Sequence, residues 1–157
     1  MTQHLPQFDR LEEAGWEIRH QVTYIVPART SASIAGYEAR PAPRTNVVIS
    51  QVPASPTAGT PREAAQEFLV QTTSLVPGMQ RVEEGMCHFE QGRVEGYRVV
   101  IQFLAPQDVW LEQHHFFRVD GPLLTQAVVT RDREVEDDDF ELALEAVTHM
   151  VVPAPVA

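Results

Sequence analysis

The chain contains no lysine and only one cysteine, and it has no glycine-rich phosphate loop after a strand. The lack of lysine excludes Schiff-base chemistry, a lysine general base and a P-loop lysine. The single Cys87 cannot form an internal disulfide, which favours a reducing compartment. No apolar run approaches the roughly 18 residues that span a membrane, and no secretory signal pattern opens the chain. We therefore expect a cytoplasmic protein.

Basic residues are also scarce. The 157 residues include 12 basic and 22 acidic side chains, which gives a formal net charge of -10. This balance opposes binding to nucleic-acid phosphates and to anionic membrane surfaces. A hydrophobic content of 43% and a charged content of 22% are typical of a soluble globular domain. We predict one domain over residues 1–157, ordered over residues 8–153, with a tail at 151–157.

Residues 85–131 contain four runs with strand character, at 86–90, 97–104, 109–119 and 123–130. Glycine, proline and aspartate lie at the breaks and supply the backbone angles that chain reversals need. This pattern predicts an antiparallel meander. Further strand character at 7–11, 21–26 and 46–52 brings the expected sheet to about six to seven strands.

The third run of the meander presents two chemically different faces. Side chains of a strand point alternately to opposite sides, so every second residue from Val109 to Val119 shares one face. That face is apolar but is interrupted by Gln113 and His115. It is either a core whose polar groups are satisfied or a surface that holds a partner.

Residues 27–45 predict a long loop, because they combine small residues with Gly36 and the Pro41-Ala-Pro43 pair. A loop of this length is either functional or a mobile insertion. A helix is then predicted from Pro61, because Thr60 is suited to the N-cap and Glu63 follows at capping-box spacing. It should reach residue 75 or 76 and stop at the following Pro-Gly pair.

A second helix is predicted after an acidic stretch, residues 134–141, in which all but two side chains are carboxylates. Metal binding competes with helix capping as an explanation. The spacing is not that of a calcium loop and the bend lacks glycine, so capping by Asp138 with Glu141 is favoured. The apolar stripe of this helix comprises Phe140, Ala143, Leu144, Val147 and Met150. Together the elements predict an α+β fold with two main helices.

Candidate catalytic or metal-binding groups are few. His114 and His115 are adjacent on a strand and therefore point apart, so they cannot chelate one ion together. Glu112 and His114 share a face and, with His88, could form a three-ligand zinc site, although such residues are also common on solvated strand faces. Cys87 lies in an apolar run, where a small buried hydrophobe is the usual role. The sequence predicts no catalytic residue, no metal and no cofactor.

Four strings, in their order and spacing, resemble the DcrB-related family: Gly15-Trp16, Val47-Val48-Ile49-Ser50, Val76-Pro77-Gly78-Met79 and Leu111-Glu112-Gln113. The resemblance covers about residues 8–153. The cytoplasmic branch of this family contains the Eag chaperones of type VI secretion effectors. The resemblance implies a Mog1/PsbP-like fold and a homodimer. It also implies a client, the hydrophobic N-terminal transmembrane segments of an effector, commonly of the Rhs type, which are cradled before export.

Matching the family residue by residue places its client-facing surface on eight positions: Val22, Tyr24, Ser50, Thr72, Val76, Val109, Leu111 and Gln113. The apolar members would replace lipid contacts, and the polar members would hydrogen-bond to polar groups of the client. An ordinary core remains the alternative for each position. The alternative function is a Mog1/PsbP-like module for a small ligand or a regulatory protein, without a membrane-segment client. A metal-dependent or hydrolytic enzyme is the third possibility.

Overall fold

The computed structural model describes residues 21–25, 45–56, 59–106 and 108–152. These residues form strands β1 (Gln21–Ile25), β2 (Asn46–Pro53), β3 (Gln80–Phe89), β4 (Val94–Ala105), β5 (Val109–Asp120) and β6 (Leu123–Asp132). The helices are α1 (Pro61–Leu75) and α2 (Asp138–Thr148). The predicted α+β class, with an antiparallel sheet and two helices, is confirmed. The predicted strand at 7–11, residues 27–44 of the predicted loop and residues 153–157 lie outside the described residues.

The described strands form one sheet in the order β1-β2-β6-β5-β4-β3, and every neighbouring pair is antiparallel. Strands β3 to β6 follow one another as hairpins, which confirms the predicted meander. Strand β2 returns beside β6 and therefore joins the N-terminal part of the chain to the C-terminal hairpin.

Strand β3 begins at Gln80, well before the predicted start at Met86. It lies at an edge of the described sheet, and its first four residues are exposed. A register shift between Arg81 and Glu83 also interrupts its alternation. An exposed, polar edge strand does not show alternating apolar residues, so the sequence pattern did not predict the first half of β3.

Each face of the sheet has its own core. The cluster on the side of α1, here called the α1 face, comprises Ala64, Ala65, Leu69, Tyr97, Val99, Ile101 and Phe117. The cluster on the side of α2, the α2 face, comprises Val47, Phe89, Phe116, Ala127, Val129, Phe140 and Val147. Phe116 and Phe117 are neighbours on β5 and enter opposite clusters, which confirms the predicted alternation. The sheet is thus a middle layer between two helices.

The start of α1 was predicted correctly, but the start of α2 was not. Thr60 Oγ1 accepts a hydrogen bond from the Glu63 backbone N–H at 3.1 Å. The cap of α2 is Asp137 rather than Asp138, and its carboxylate accepts from the Asp139 N–H at 3.0 Å. The same carboxylate accepts from the N–H and the hydroxyl of Thr45, at 3.2 and 2.7 Å. The N-cap residue therefore also connects α2 to the start of β2, a contact that the residue spacing within α2 could not predict.

Candidate functional site

The α1 face of the sheet extends beyond the helix that packs on it. Helix α1 packs on β4 and β5, so β2 and β6 lie beside it. Gln126 is paired with both Phe117 and Ser50, and directly opposed residues share a face. This register assigns six half-buried residues of β2 and β6 to the α1 face: Val48, Ser50, Val52, Leu124, Gln126 and Val128. The surface they form is mixed, with apolar and amide or hydroxyl groups side by side.

A cavity of about 220 Å³ opens between α1 and these two strands. Apolar side chains of both elements line it, among them Val52, Phe68 and Leu124. Gln71 and Gln126 add amide groups to the wall. A cavity of this kind has room for a side chain of another molecule or for a small ligand beside α1.

The predicted site residues of the early strands lie at the far edge of this face. The register pairs Val22 with Ser50 and Tyr24 with Val48, so backbone pairing brings Val22 and Ser50 directly together. Ser50 is half-buried and is paired on its other side with Gln126.

The predicted residues of the long strand lie along β5. Val109, Leu111 and Gln113 are all half-buried. Leu111 is paired with Phe103, which packs against the α1-face cluster. Gln113 is paired with Thr130 of β6.

The two predicted helix residues follow the buried side of α1. Thr72 and Val76 are half-buried and continue the helical spacing of Ala65 and Leu69, which are buried. Val76 is the C-cap, and its N–H donates to the Thr72 carbonyl at 2.9 Å. Both residues therefore belong to the sheet-facing stripe of α1.

The eight predicted residues form a band rather than a single cluster. Gln113 is level with Thr130 and Asn46, whereas Ser50 lies four residues further along β2. At about 3.3 Å per residue, the two side chains are separated by about 13 Å along the strands, in addition to two strand spacings. The band is therefore extended along the strands rather than compact.

A chain of polar side chains crosses the centre of the band. Gln126 Nε2 lies 3.0 Å from His115 Nδ1, and His115 Nε2 lies 2.9 Å from Gln113 Oε1. Gln113 Nε2 then donates to Thr130 Oγ1 at 3.1 Å. His115 is only 5% exposed, and its ring centroid lies 4.2 Å from that of Phe68 on α1.

The protonation state of His115 determines which groups donate and which accept in these side-chain hydrogen bonds. Burial, and to a smaller extent the neighbouring His114, lower the pKa of His115 to about 3. The ring is therefore neutral near pH 7, so one nitrogen donates and the other accepts. Nδ1 accepts from Gln126, and Nε2–H donates to the Gln113 carbonyl. The Gln113 carbonyl therefore accepts from His115, and one of its amide N–H groups has no partner within the part of the chain that the structure describes, so it can donate to a ligand.

Sequence reasoning placed His115 on this face but did not include it, or Gln126, among the site residues. The signal that could have found His115 was its position two residues from Gln113, on the same side of one strand. Gln126 could not be found, because its part depends on the register between β5 and β6.

A second polar cluster lies on the α2 face. Glu112 accepts hydrogen bonds from Gln102, His114 and Arg131, at 2.9, 3.1 and 3.0 Å. Burial by itself raises the pKa of Glu112, but these hydrogen bonds and the Arg131 charge outweigh burial, and the pKa lies below its ordinary value. For His114, burial disfavours the protonated ring and therefore lowers the pKa. The carboxylate is thus fully engaged in an internal network.

The considered three-ligand metal site does not assemble. His88 Nε2 lies 3.9 Å from Glu95, on an exposed part of β3 and β4, and not beside the Glu112–His114 pair. Within the described residues, no group of three histidine, cysteine, aspartate or glutamate side chains is placed to hold a metal. Cys87 is half-buried against the α2-face cluster, and burial raises the pKa of its thiol to about 11.

A larger cavity, of about 420 Å³, lies on the α2 face between β2 and α2. Its lining is almost wholly apolar and comes from Val47, Ile49, Ala143, Val147 and Met150, among others. Sequence reasoning missed it, because its walls come from segments about ninety residues apart. Of the helices in the described ranges, neither is long and apolar enough to cross a membrane.

No family model and no curated protein matches the chain. Solved structures do match. One is the crystal structure of a protein of unknown function from Pseudomonas aeruginosa for which a regulatory role has been suggested. It is 12% identical in sequence, the match covers 90% of this chain and 88% of the other, and the TM-score is 0.57. At this identity the likeness supports the fold alone.

Proposed function

We propose that this protein is a cytoplasmic chaperone or adaptor that binds and shields the hydrophobic N-terminal transmembrane segments of a type VI secretion effector before export. The observation that carries the proposal is the half-buried, mixed apolar and polar surface of β2 and β6 beside α1. All eight residues matched to the client-facing surface of the Eag chaperones lie on β1, β2, β5 and the sheet-facing stripe of α1.

The dimensions of this surface suit a membrane helix. Strands β2 and β6 have 8 and 10 residues and therefore span about 26 and 33 Å. A helix of about 20 residues is about 30 Å long and about 10 Å across. Two strands at about 4.8 Å spacing match that width, so one client helix fits alongside α1 over β2 and β6.

The chemistry of the surface also suits such a client. Val52, Leu111 and Leu124 offer apolar contact in place of lipid. Gln113 offers a spare amide N–H, which can pair with a client carbonyl that small or helix-breaking residues expose. Covering about 1,000 Å² of apolar client surface is worth tens of kcal/mol at about 25 cal/mol per Å², before ordering costs.

This proposal includes the finer features that the family resemblance implies. The fold is of the Mog1/PsbP type, the protein acts as a homodimer, and the client is an effector of the Rhs type. The task is binding, so it requires no catalytic residue, metal or cofactor.

Co-expression with the apolar N-terminal region of an effector encoded nearby tests the proposal. We expect a stable complex with the wild type, weakened by Gln113→Ala and abolished by Leu111→Asp. Val70→Asp is the matched control, because Val70 is 74% exposed on α1 and lies outside the band. The proposal fails if no complex forms, or if folded Gln113→Ala and Leu111→Asp both bind like the wild type.

A second candidate is a Mog1/PsbP-like module that binds a small ligand or a regulatory protein. The 220 Å³ cavity beside α1 favours it, since Gln71 and Gln126 supply polar groups within an apolar wall. A gene for a large effector with apolar N-terminal stretches, next to the gene for this protein, would favour the chaperone instead.

A further inference from the structure

The cavity of about 220 Å³ beside α1 is walled by one stripe of that helix and by two paired strands. The helix contributes four residues at positions i, i+3, i+4 and i+7, which share one side of a helix: Ala64, Glu67, Phe68 and Gln71. The strands contribute Val52 and Leu124, which are directly paired, and Gln126, two residues further along β6. Sites for drug-sized ligands have volumes of about 300–1,000 Å³, so this cavity suits a smaller molecule.

Two aromatic rings form part of the apolar wall. Phe68 and Phe117 both line the cavity, and their ring centroids are 5.7 Å apart with the ring planes inclined by 50°. Phe117 is only 1% exposed, and the Phe68 ring packs on His115 at a centroid distance of 4.2 Å. The core therefore holds both rings in position. Aromatic rings bind apolar groups, and their faces also attract cations.

The polar part of the wall offers hydrogen-bond acceptors and a negative charge. Gln126 directs Nε2 to His115 Nδ1 at 3.0 Å, and its carbonyl oxygen has no hydrogen-bond partner among the described residues. Glu67 carries the only charge among the described lining residues, and its carboxylate has no partner within the described ranges either. Gln71 lies one helical turn from Glu67 and adds a second amide. The charge in the wall is thus opposite in sign to that of an ammonium group.

We propose that this cavity is a binding site for a small primary amine with a compact apolar body. The body packs against Phe68 and Phe117, and the ammonium group pairs with Glu67 and donates a hydrogen bond to the Gln126 carbonyl. A carboxylate ligand fits less well, because Glu67 repels it and no described lining residue supplies a positive charge. This assignment rests on the second candidate function, in which the cavity receives a small ligand.

NMR titration of the ¹⁵N-labelled protein near pH 7 tests the assignment with three probes that share one ring. Phenethylamine carries an ammonium group, 2-phenylethanol is neutral, and 3-phenylpropionate carries a carboxylate. We expect phenethylamine to bind most tightly, and more weakly as salt rises, whereas 2-phenylethanol binds about fivefold more weakly and without salt dependence. The carboxylate should bind most weakly. The signals that shift and saturate should include the backbone amides of Phe68 and Gln126.

Charge variants at the exposed lining positions assign the preference to Glu67. Glu67→Gln should weaken phenethylamine binding about fivefold and leave 2-phenylethanol binding unchanged. Gln71→Glu adds a second carboxylate and should strengthen phenethylamine binding. Glu67→Arg should reverse the preference, so that 3-phenylpropionate binds more tightly than phenethylamine. Glu141→Arg makes the same change of charge at an exposed position of α2 and should keep the wild-type preference.

The variants should remain folded, because Glu67, Gln71 and Glu141 are all exposed, and thermal unfolding checks this. The proposal is wrong if the wild type binds the alcohol or the carboxylate more tightly than the amine, although a small-ligand function would then stand. It is also wrong if folded Glu67→Arg keeps the preference for the amine, or if Glu141→Arg reverses it. If none of the three probes binds, the second candidate function fails at this cavity as well. Co-expression with the effector region tests the chaperone proposal separately.

Discussion

Arg118 of β5 donates a hydrogen bond from Nη1 to the backbone carbonyl of Met150, at a distance of 2.9 Å. The same guanidinium bonds Asp120 through Nε and Nη2, at 2.8 and 2.7 Å, and Glu90 at 3.0 Å. It lies 5.2 Å from the centre of the Phe89 ring and is only 1% exposed. One buried side chain thus joins two turns of the sheet to the end of the C-terminal helix.

Replacing Arg118 with alanine should lower the free energy of unfolding by about 3–5 kcal/mol, because two carboxylates and a carbonyl lose their partner in a buried setting. Arg118→Lys should recover only part of the loss, since an ammonium cannot reproduce the forked contacts. Urea denaturation measures both. Arg81→Ala is the control, because its ion pair with Glu84 is half-exposed and should contribute less than about 1 kcal/mol. Equal losses at both positions would contradict the role given to Arg118.

Gly96 on β4 should not tolerate a side chain. A Cβ at this position would overlap the Phe89 ring and the Phe117 carbonyl oxygen. Gly96→Ala should therefore cost about 1–3 kcal/mol or more, because both neighbours are fully buried. Gly85→Ala on β3 is the matched control, since a Cβ there meets nothing within 4 Å. Its expected change is within about 0.5 kcal/mol. A neutral Gly96→Ala in thermal unfolding would contradict the packing.

The buried His115 should make stability depend on pH. Its pKa falls from 6.5 to about 3 on folding, so the unfolded chain binds the proton more tightly. The contribution is therefore fully present above pH 6.5 and is lost as pH falls toward 3. His114, whose pKa is also lowered, acts in the same direction.

Urea midpoints at neutral pH and at mildly acidic pH measure this dependence. His115→Gln should be less stable at neutral pH, because it disturbs the contact with Phe68, but it should lose less stability on acidification. His88→Gln is the control, since His88 is exposed, and it should keep the wild-type pH dependence. A His115→Gln variant with the full wild-type pH dependence would contradict the assignment.

The cap of α2 offers a test of long-range anchoring. Asp137→Ala should cost more than the about 1 kcal/mol of an ordinary helix cap, because Thr45, only 2% exposed, loses the partner of its N–H and hydroxyl. Thr60→Ala at the exposed cap of α1 should show the ordinary loss. Asp138→Ala should change the free energy of unfolding little. Chemical denaturation of the three variants gives the ranking, and a larger loss at Asp138 than at Asp137 would reverse it.

Periodic signals in the sequence predicted the meander, both helices and the alternation of β5 correctly. These features depend on spacing within one segment, which a sequence displays directly. The band of eight residues was predicted from a family resemblance rather than from a periodic signal.

Features that depend on pairing between distant segments could not be predicted. The tie from Asp137 to Thr45 spans 92 positions, and the contact of Arg118 with Met150 spans 32. The cavity on the α2 face requires β2 and α2 to meet. No local sequence pattern predicts these contacts, because they depend on strand order and tertiary packing rather than on the secondary-structure propensity of one segment.

Strand β2 contributes alternate residues to two different surfaces: Val47 and Ile49 to the cavity beside α2, and Ser50 to the band beside α1. A slip of one residue in its pairing with β6 would exchange these surfaces. Both ends of the strand are clamped, by the bonds of Thr45 to Asp137 and by the Ala54 N–H to the Pro122 carbonyl at 2.7 Å. The clamps therefore fix which residues of β2 lie on each side of the sheet, and loosening either clamp would expose both surfaces to a slip in register.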